Sequence, residues 1–392
     1  MVPDEAVTIG ETSYDDPEEL QAVTATLCSY FLYRRVAHRN LTHRRRNSFY
    51  SLPRVHQELL QNAPICYLKT LGLIDEAIEQ NSLLAESIFR SAADAFGVEL
   101  NATGRRALEQ NPSSEDLDKV RSTLKQFYRD WSVEGQAERT ACYGPVMDEL
   151  EERFGKLGDD KSKIKIVVPG AGLARLAFDI AVAGYTSQGN EFSYHQLMAS
   201  NFILNHTTKA NEFTIHPFIS TFSNHRTRSN QLRHVSIPDV HPATLLSACT
   251  ANQNNDNAPA GERFSMIAGD FQTCYNGPDS AGAFDVCATV FFLDTAPNIC
   301  AYLATIHNLL SPGGLWINLG PLLWHYEDQK PPKRDDDEGS VELSLDEVLE
   351  LVEMSGFKIV KRRSKETTAY VGDERSMLTH IYEGEFWVAE KV

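Results

Sequence analysis

Residues 164–181 read IKIVVPGAGLARLAFDIA, and this stretch decides the fold. Its first half is a short β-branched run typical of a buried strand, and its second half has the composition of a helix. Between them, Gly170 and Gly172 predict a tight turn, the strand–turn–helix arrangement of nucleotide-binding α/β domains. The third glycine of the dinucleotide fingerprint is absent, because Arg175 stands in its place. Taken alone, the stretch fits a plain structural turn as well as a nucleoside site.

The remainder of residues 159–392 continues the alternation of strands and helices. A second, weaker strand ends at Glu191, and the run FDVCATVFFLD is apolar at nearly every position, as expected of a strand covered on both faces. A helix, the turn SPGG and the strand LWINLG follow, and SLDEVLELVEMSGF has the spacing of an amphipathic helix. The last runs, FKIVKRRS and HIYEGEFWVAE, predict an antiparallel hairpin. This order predicts a doubly wound α/β domain.

The first third of the chain has a different pattern. Residues 17–158 carry apolar side chains at helical spacing without strand-like runs, so we predict an all-helical domain that contributes to the cofactor site. Residues 1–16 are acidic and predict a disordered tail. Two polar stretches, near residues 201–264 and 327–341, are longer than ordinary connections. Loops at strand ends carry substrate contacts in α/β domains, so we predict substrate-side insertions there.

The composition excludes several function classes. The 392 residues carry a net charge of −17, so binding to a nucleic-acid backbone is not expected. No stretch approaches the ~20 apolar residues of a membrane span, and the acidic N-terminus lacks a secretory signal. The seven cysteines are scattered without a CxxC pair, and no histidine motif has metal-ligand spacing. We expect a cytoplasmic protein without a metal. The basic run Arg34–Arg46 is a candidate nuclear import signal, although a solvated helix end explains it more simply.

Three features at successive strand ends favour a nucleoside site. The backbone at Gly170 and Gly172 can approach a nucleoside, and Glu191, 21 residues after Gly170, is placed to accept both hydroxyls of a ribose. Asp270 and Phe271 follow the next strand, where a carboxylate and a backbone N–H can hold an adenine. Each feature alone is also explained by an ordinary turn or a surface acid. Together they fit a nicotinamide enzyme or an S-adenosylmethionine methyltransferase, and the terminal antiparallel hairpin favours the methyltransferase.

Six separated blocks of the sequence resemble the carnosine N-methyltransferase family, and they occur in one order: QFYRDWSVEGQAER, VVPGAGLARLAFDIA, GNEFSYHQLMASNFILN, VFFLDTAPN, GPLLWHYED and RSMLTHIYEGEFWV. The match runs from about Leu124 to the end of the chain. The resemblance implies a seven-stranded class I methyltransferase (Rossmann-like) sheet with S-adenosyl-L-methionine as cofactor. It implies methyl transfer to an imidazole nitrogen of histidine in carnosine or a related peptide. It also suggests a homodimer formed through the N-terminal helices.

The resemblance assigns site residues block by block. For the cofactor it implies seven contacts: Gln126 and Arg129 at the methionine end, Gly170 and Glu191 in the roles above, Asp270 and Phe271 at the adenine, and Val286 lining the adenine pocket. For the substrate it implies Asp294, His325 and Tyr382, with Tyr370 as a weaker fourth. His380 is predicted to share a strand face with Tyr382, and its role is left open.

Asp294 is the candidate catalytic residue. A carboxylate at the end of the predicted strand FDVCATVFFLD would accept the N–H of the ring nitrogen that is not methylated. This hydrogen bond would fix the reactive tautomer. Simpler explanations stay open: Asp294 as a helix cap, His325 as a loop histidine and Tyr382 as a packing residue. The alternative functions are a methyltransferase acting on protein histidine or on another small amine, a cofactor-binding scaffold, and a nicotinamide-dependent dehydrogenase.

Overall fold

The computed structural model describes residues 17–97, 113–251, 261–328, 339–370 and 372–392. The α-helices are α1 Pro17–Ala37, α2 Arg44–Tyr50, α3 Arg54–Gln61, α4 Tyr67–Ala95, α5 Ser114–Trp131, α6 Gln136–Phe154, α7 Arg175–Val182, α8 Tyr194–Asn205, α9 Arg228–Gln231, α10 Pro242–Ala251, α11 Phe271–Tyr275, α12 Ile299–Leu309 and α13 Leu345–Met354. The strands are β1 Lys165–Pro169, β2 Thr186–Glu191, β3 Phe213–Ile215, β4 Val235–Ile237, β5 Phe264–Ala268, β6 Phe284–Val290, β7 Leu310–Gly320, β8 Phe357–Thr368 and β9 Tyr382–Lys391.

Seven of these strands form one sheet in the order β5-β2-β1-β6-β7-β9-β8. The first five in this order are parallel, and β9 runs antiparallel to both of its neighbours, β7 and β8. The β1 backbone is buried from Ile166 to Pro169, as expected of a strand whose β-branched run faces helices on both sides. The predicted doubly wound, seven-stranded sheet with a reversed final hairpin is confirmed.

The strand order determines where a ligand can bind. β2 lies on one side of β1 and β6 lies on the other. The connections after β1 and β6 therefore leave the sheet in opposite directions and open a crevice at the carboxyl ends of these strands. The segments that follow β1, β2, β5 and β6 meet at this edge.

The predicted N-terminal helical region is confirmed, and in the described part of residues 17–154 no strand occurs. The helix α5 begins with a capping box in which Ser113 and Asp116 exchange hydrogen bonds of 3.1 Å. Its apolar stripe ends in Trp131, whose ring centre lies 5.4 Å from that of Phe178 in α7. Because such contacts join the helices to the sheet, both regions share one hydrophobic core.

The predicted turn before LWINLG does not interrupt the strand. β7 begins at Leu310 and includes Ser311, Pro312, Gly313 and Gly314. Leu310 pairs with Phe284 and Leu315 pairs with Val286, so the turn residues form a bulge opposite β6. Gly313 has φ +73°, a backbone conformation that glycine adopts without strain. The correction therefore concerns the length of the strand and not its position.

The first predicted insertion forms structure of its own. In residues 201–264, β3 and β4 pair antiparallel as a separate two-stranded sheet; α9 lies between these strands in the chain, and α10 follows β4. Residues 252–260 lie outside the described residues, as do most of the second predicted insertion and the predicted tail 1–16. Within the described ranges, no helix has the length and apolarity needed to cross a membrane.

The basic run Arg34–Arg46 spans the end of α1, a π-helical turn and the start of α2. Its arginines are partly engaged with acidic side chains. Arg34 pairs with Glu79 at 3.2 Å, and Arg46 pairs with Asp75. Such pairing is what a solvated helix end provides.

Candidate active site

A single cleft lies at the carboxyl edge of the parallel strands, with a volume of about 1100 Å³. This volume is large enough for two small molecules side by side. The structure brings together in it all of the sequence-predicted site residues except Val286: Gln126, Arg129, Gly170, Glu191, Asp270, Phe271, Asp294, His325, Tyr370 and Tyr382. These residues come from α5, from the ends of β1, β2, β5 and β6, from the segment after β7, and from the C-terminal hairpin.

The glycine turn after β1 forms the floor of the cleft. Gly170 has φ +64°, and a Cβ at this position would lie 2.7 Å from Cδ2 of Phe292. Only glycine therefore fits the turn without displacing an aromatic ring. Gly172 has φ +56° and donates its N–H to Oε2 of Glu191 at 2.9 Å. The turn is thus tied directly to the carboxylate at the end of β2.

Glu191 is held by three backbone N–H groups. Its Oε1 accepts from Phe192 and Ser193, both at 2.9 Å, and its Oε2 accepts from Gly172. The residue is buried, which raises the pKa of its carboxyl, while the three hydrogen bonds act in the opposite direction. A carboxylate oxygen accepts about two hydrogen bonds, so Oε1 is filled and Oε2 retains one acceptor position toward the cleft. This arrangement leaves the Glu191 carboxylate an acceptor position for a ligand hydroxyl, and the predicted contact to both hydroxyls of a ribose stays a prediction.

Asp270 and Phe271 differ in their exposure at the end of β5. Asp270 is exposed and caps the short helix α11, because its Oδ1 accepts the N–H of Thr273 at 2.9 Å. Phe271 is buried, and its ring packs edge-on against Phe292 and Tyr302 at centroid distances of 5.3 and 5.4 Å. The pair therefore combines an apolar wall with a carboxylate at the rim of the cleft.

Arg129 provides the positive charge of the cleft. Its Nε and one Nη contact the two carboxylate oxygens of Asp130 at 2.7 and 3.1 Å, and its guanidinium lies 4.8 Å from the ring centre of Tyr370. Burial lowers the pKa of Arg129, but the Asp130 charge outweighs it and leaves the pKa well above its ordinary value. One edge of the fork is therefore committed to Asp130, and the other Nη is left for a ligand. Gln126 links to the same group by donating to the Tyr370 hydroxyl at 3.3 Å and accepting from Gln196.

Asp294 lies in a 3₁₀ turn just after β6 and is only 3% exposed. Its Oδ2 accepts the N–H of Leu323 at 2.9 Å, and its backbone carbonyl accepts the N–H of His325 at 3.1 Å. Burial raises the pKa of the Asp294 carboxyl, and the Leu323 hydrogen bond partly counteracts this. These contacts fix the carboxylate in the wall of the cleft, with the exposed His325 beside it.

Sequence reasoning missed an aromatic residue that lines the cleft between Tyr370 and Tyr382. Phe291 has φ +53°, a strained conformation for a side chain of this size, and its N–H donates to Leu319 at 2.9 Å. Its ring lies 5.1 Å from that of Tyr370 and 5.6 Å from that of Tyr382. The signal was available in the run VFFLD, where two aromatic residues separate the strand from Asp294.

Two predictions about the site are wrong. Val286 is fully buried in the hydrophobic core near the start of β6, and Val290, at the end of the same strand, lines the cleft instead. His380 precedes β9, which begins at Tyr382, so the two residues do not share a strand face. Within the described part of residues 201–264, no side chain lines the cleft, so the predicted substrate-side role of this insertion stays a prediction.

The side chains of the cleft match the polar groups of S-adenosylmethionine. Arg129 offers a cation suited to a carboxylate, Glu191 offers an acceptor suited to a hydroxyl, and Asp270 offers an acceptor suited to an amino group at the rim. The turn at Gly170 leaves no room for a side chain. The described ranges contain no group of three or more His, Cys, Asp or Glu side chains suited to a metal ion.

Comparisons with known proteins identify the family of this chain. The family model described as carnosine N-methyltransferase matches residues 106–392. The carnosine N-methyltransferase of Schizosaccharomyces pombe is 43% identical over 381 residues, which cover 95% of this chain and 96% of the relative. The mouse enzyme of the same name is 38% identical, with 89% of this chain and 80% of that chain covered.

Solved structures are more distant. The 1,6-didemethyltoxoflavin-N1-methyltransferase of Burkholderia thailandensis is 16% identical, with a TM-score of 0.35, and the alignment covers 72% of this chain and 93% of that one. The family model and the two relatives each cover most of the chain, and the residues matched by the family model include every block that carries the cleft. This chain belongs to the carnosine N-methyltransferase family, whose members are S-adenosylmethionine-dependent methyltransferases.

Proposed function

We propose that this protein transfers the methyl group of S-adenosylmethionine to an imidazole nitrogen of carnosine or a related histidine-containing peptide. The observation that carries the proposal is the buried Asp294 carboxylate, which lines the same cleft as Glu191 and Arg129. A cofactor site and a fixed hydrogen-bond acceptor for an imidazole are thereby brought together. The family of the chain supports this choice of methyl acceptor.

On the cofactor side, the chain provides one partner for each part of S-adenosylmethionine. Arg129 and Gln126 would hold the methionine end, Glu191 a ribose hydroxyl, and Asp270 with Phe271 the adenine. When bound, the cofactor supplies an electrophilic methyl group on a positively charged sulfur. The glycine turn and the buried carboxylate are fixed by hydrogen bonds before any ligand arrives, which reduces the cost of ordering the site.

On the substrate side, little acid–base chemistry is needed. A free imidazole has a pKa of about 6.5, so most of it is uncharged at neutral pH and already nucleophilic. Leu323 fixes Oδ2 of Asp294, and we assign Oδ1 as the acceptor of the N–H on the ring nitrogen that is not methylated. That contact selects the tautomer whose free lone pair faces the cleft. The carboxylate also stabilises the positive charge that the ring acquires during the reaction.

The aromatic rings complete the substrate side. Phe291, Tyr370 and Tyr382 form one group at centroid distances of 5.1 and 5.6 Å, and all three line the cleft. Aromatic faces attract a flat ring that becomes cationic, so they favour the methylated imidazolium as it forms. His325 and the tyrosine hydroxyls are the polar groups for the remainder of the peptide.

The direct test is incubation of the purified protein with isotope-labelled S-adenosylmethionine and a panel of acceptors. The panel contains carnosine, other histidine dipeptides, a histidine-bearing protein and small amines without imidazole. We expect label on a ring nitrogen of carnosine, identified by NMR of the product. If only the protein histidine or only an amine is labelled, the proposal that carnosine or a related peptide is the methyl acceptor is refuted. Thermal stabilisation by NAD but not by S-adenosylhomocysteine would refute the methyltransferase assignment itself.

We also propose a homodimer in which α3 pairs with the α3 of a second copy. No residue of α3 is buried, and Val55 and Leu59, one turn apart, are 73% and 68% exposed. Arg54 and Glu58 form an ion pair within this helix at 3.1 Å and carry opposite charges, so the same patch on a second copy offers each of them an oppositely charged partner. Exposed apolar side chains beside such a pair favour association with an identical surface.

Sedimentation analysis tests this interface. The wild-type chain is expected to sediment as a dimer, and the double variant Val55→Glu with Leu59→Glu as a monomer, because four carboxylates would face one another. The control is Met354→Glu on α13, an equally exposed apolar residue outside α3 that should leave the dimer intact. A monomeric wild type, or a dimer that survives the double variant, contradicts the proposal.

A further inference from the structure

Arg175, which replaces the third glycine of the nucleotide-binding turn, is buried and makes three specific contacts. Its Nη1 donates to the backbone carbonyl of Asp130 at 2.8 Å and to Oδ1 of Asp239 at 2.7 Å. Its Nε donates to Oδ1 of Asp179 at 2.8 Å. The side chain therefore leaves its own helix, α7, and reaches the C-terminal end of α5.

Arg139 of α6 reaches the same helix end from the other side. Its Nη1 donates to the carbonyls of Arg129 and Ser132, both at 2.6 Å, and its Nη2 donates to Oδ2 of Asp239 at 2.8 Å. The backbone N–H of Asp239 donates to the carbonyl of Trp131 at 2.8 Å. We call Arg139, Arg175 and Asp239 the clamp.

The clamp satisfies four consecutive carbonyls, those of residues 129–132. The last carbonyls of a helix have no partner within the helix and carry its negative dipole end, so cations are favourable there. Asp239 joins the two arginines through its two carboxylate oxygens, and the side chains of all three residues are at most 9% exposed. Buried charges with such full pairing hold their positions, because any displacement leaves a charge without a partner.

The clamp holds the last turn of α5, which carries Arg129, through hydrogen bonds to its backbone carbonyls. On this turn, the neighbouring Asp130 orients the guanidinium of Arg129 through two hydrogen bonds, and the Tyr143 hydroxyl donates to the same carboxylate at 2.8 Å. The backbone under Arg129 is fixed by the clamp, and its side chain is fixed by Asp130. Neither support touches the cleft where Arg129 would meet a ligand carboxylate, since no clamp residue lines it.

We propose that Arg139, Arg175 and Asp239 are positioning residues that hold Arg129 in place for the carboxylate of the methionine part of the cofactor. This inference rests on the proposed role of Arg129 in cofactor binding. The inference also explains why an arginine stands at position 175, because a third glycine there has no side chain to bond the end of α5. It also gives the insertion at residues 201–264 a role on the cofactor side, because Asp239 belongs to it.

The test compares two ligands that differ at the amino-acid end. S-adenosylhomocysteine has the carboxylate that Arg129 would bind, and 5′-methylthioadenosine lacks it. In the full-length protein, Asp239→Asn is expected to raise the Kd for S-adenosylhomocysteine about tenfold by calorimetry and to leave the Kd for 5′-methylthioadenosine within twofold. The matched control is Glu149→Gln, which removes another buried carboxylate that joins two cations, Arg153 and Lys361, outside the cleft. It should change neither Kd.

A general loss of structure would raise the Kd of both ligands by the same factor, and that result overturns the inference. An unchanged Kd for S-adenosylhomocysteine also overturns it. Should Asp239→Asn fail to fold, Arg139→Lys provides the same comparison, because lysine keeps the charge but cannot reach two carbonyls and Asp239 together. The proposed role of Arg129 is tested separately with Arg129→Leu. If that variant binds both ligands normally, Arg129 does not hold the carboxylate, whatever the result at Asp239.

Discussion

Asp294→Asn is expected to lower the turnover of carnosine at least ~100-fold, with the affinity for S-adenosylhomocysteine within about twofold of wild type. Leu323 donates its N–H to Oδ2 at 2.9 Å, so the amide oxygen of the variant must take this position. The amide nitrogen then lies where Oδ1 was and donates a hydrogen bond instead of accepting one. It would favour the tautomer whose N–H faces the methyl group, and the negative charge that stabilises the imidazolium is lost.

Steady-state rates and calorimetry on the same preparation check this result. The control is Asp285→Asn at the opposite end of β6, where the carboxylate accepts the N–H of Lys165 at 2.9 Å. This change alters the same strand by the same chemistry but far from the cleft, so turnover should stay near that of wild type. Unchanged turnover in folded Asp294→Asn would show that Asp294 does not orient the imidazole.

The general position of the site was predictable from local sequence signals. Gly170, Glu191 and Asp270 each follow a predicted strand, and parallel strands place their carboxyl ends at one edge of the sheet. The adjacency of these residues in the cleft therefore follows from the topology alone. Asp294 and His325 needed the family resemblance, because a single carboxylate or histidine after a strand has too many structural explanations.

The error at Val286 has a simple cause. A strand that is apolar at nearly every position has no sequence feature that marks where it ends, so the position facing the cleft was placed four residues too early. The structure shows that β6 ends at Val290. Phe291 follows with a positive φ, and its ring lies in the cleft. The strand end has no local signature, and the two aromatic residues in VFFLD do not by themselves show which ring enters the cleft.

The clamp was beyond sequence reasoning for a different reason. Arg139, Arg175 and Asp239 are separated by 36 and 64 residues along the chain, and no periodicity connects an insertion to a helix end. Arg175 was visible only as a departure from the glycine pattern. Its function depends on the packing of α5 against α7, which only tertiary structure shows.

Glu191→Ala is the second large effect, and we expect a rise of about 10- to 100-fold in the Kd for S-adenosylhomocysteine. A hydrogen bond to a charged group contributes ~1.5–3 kcal/mol, and in this variant the ribose hydroxyl would lose its charged acceptor. The substitution also leaves the N–H groups of Gly172, Phe192 and Ser193 without their acceptor, which loosens the glycine turn. Calorimetric titration measures the change, and Glu149→Ala is a control for the loss of a buried carboxylate elsewhere.

The ligand pair used for the clamp separates Glu191 from Arg129. Both S-adenosylhomocysteine and 5′-methylthioadenosine contain the ribose, so Glu191→Ala should weaken both by a similar factor. Asp239→Asn should weaken only the ligand with the carboxylate. An unaltered affinity of Glu191→Ala for both ligands would remove Glu191 from the ribose. A loss confined to S-adenosylhomocysteine would place this carboxylate at the methionine end, because only contacts to that end distinguish the two compounds.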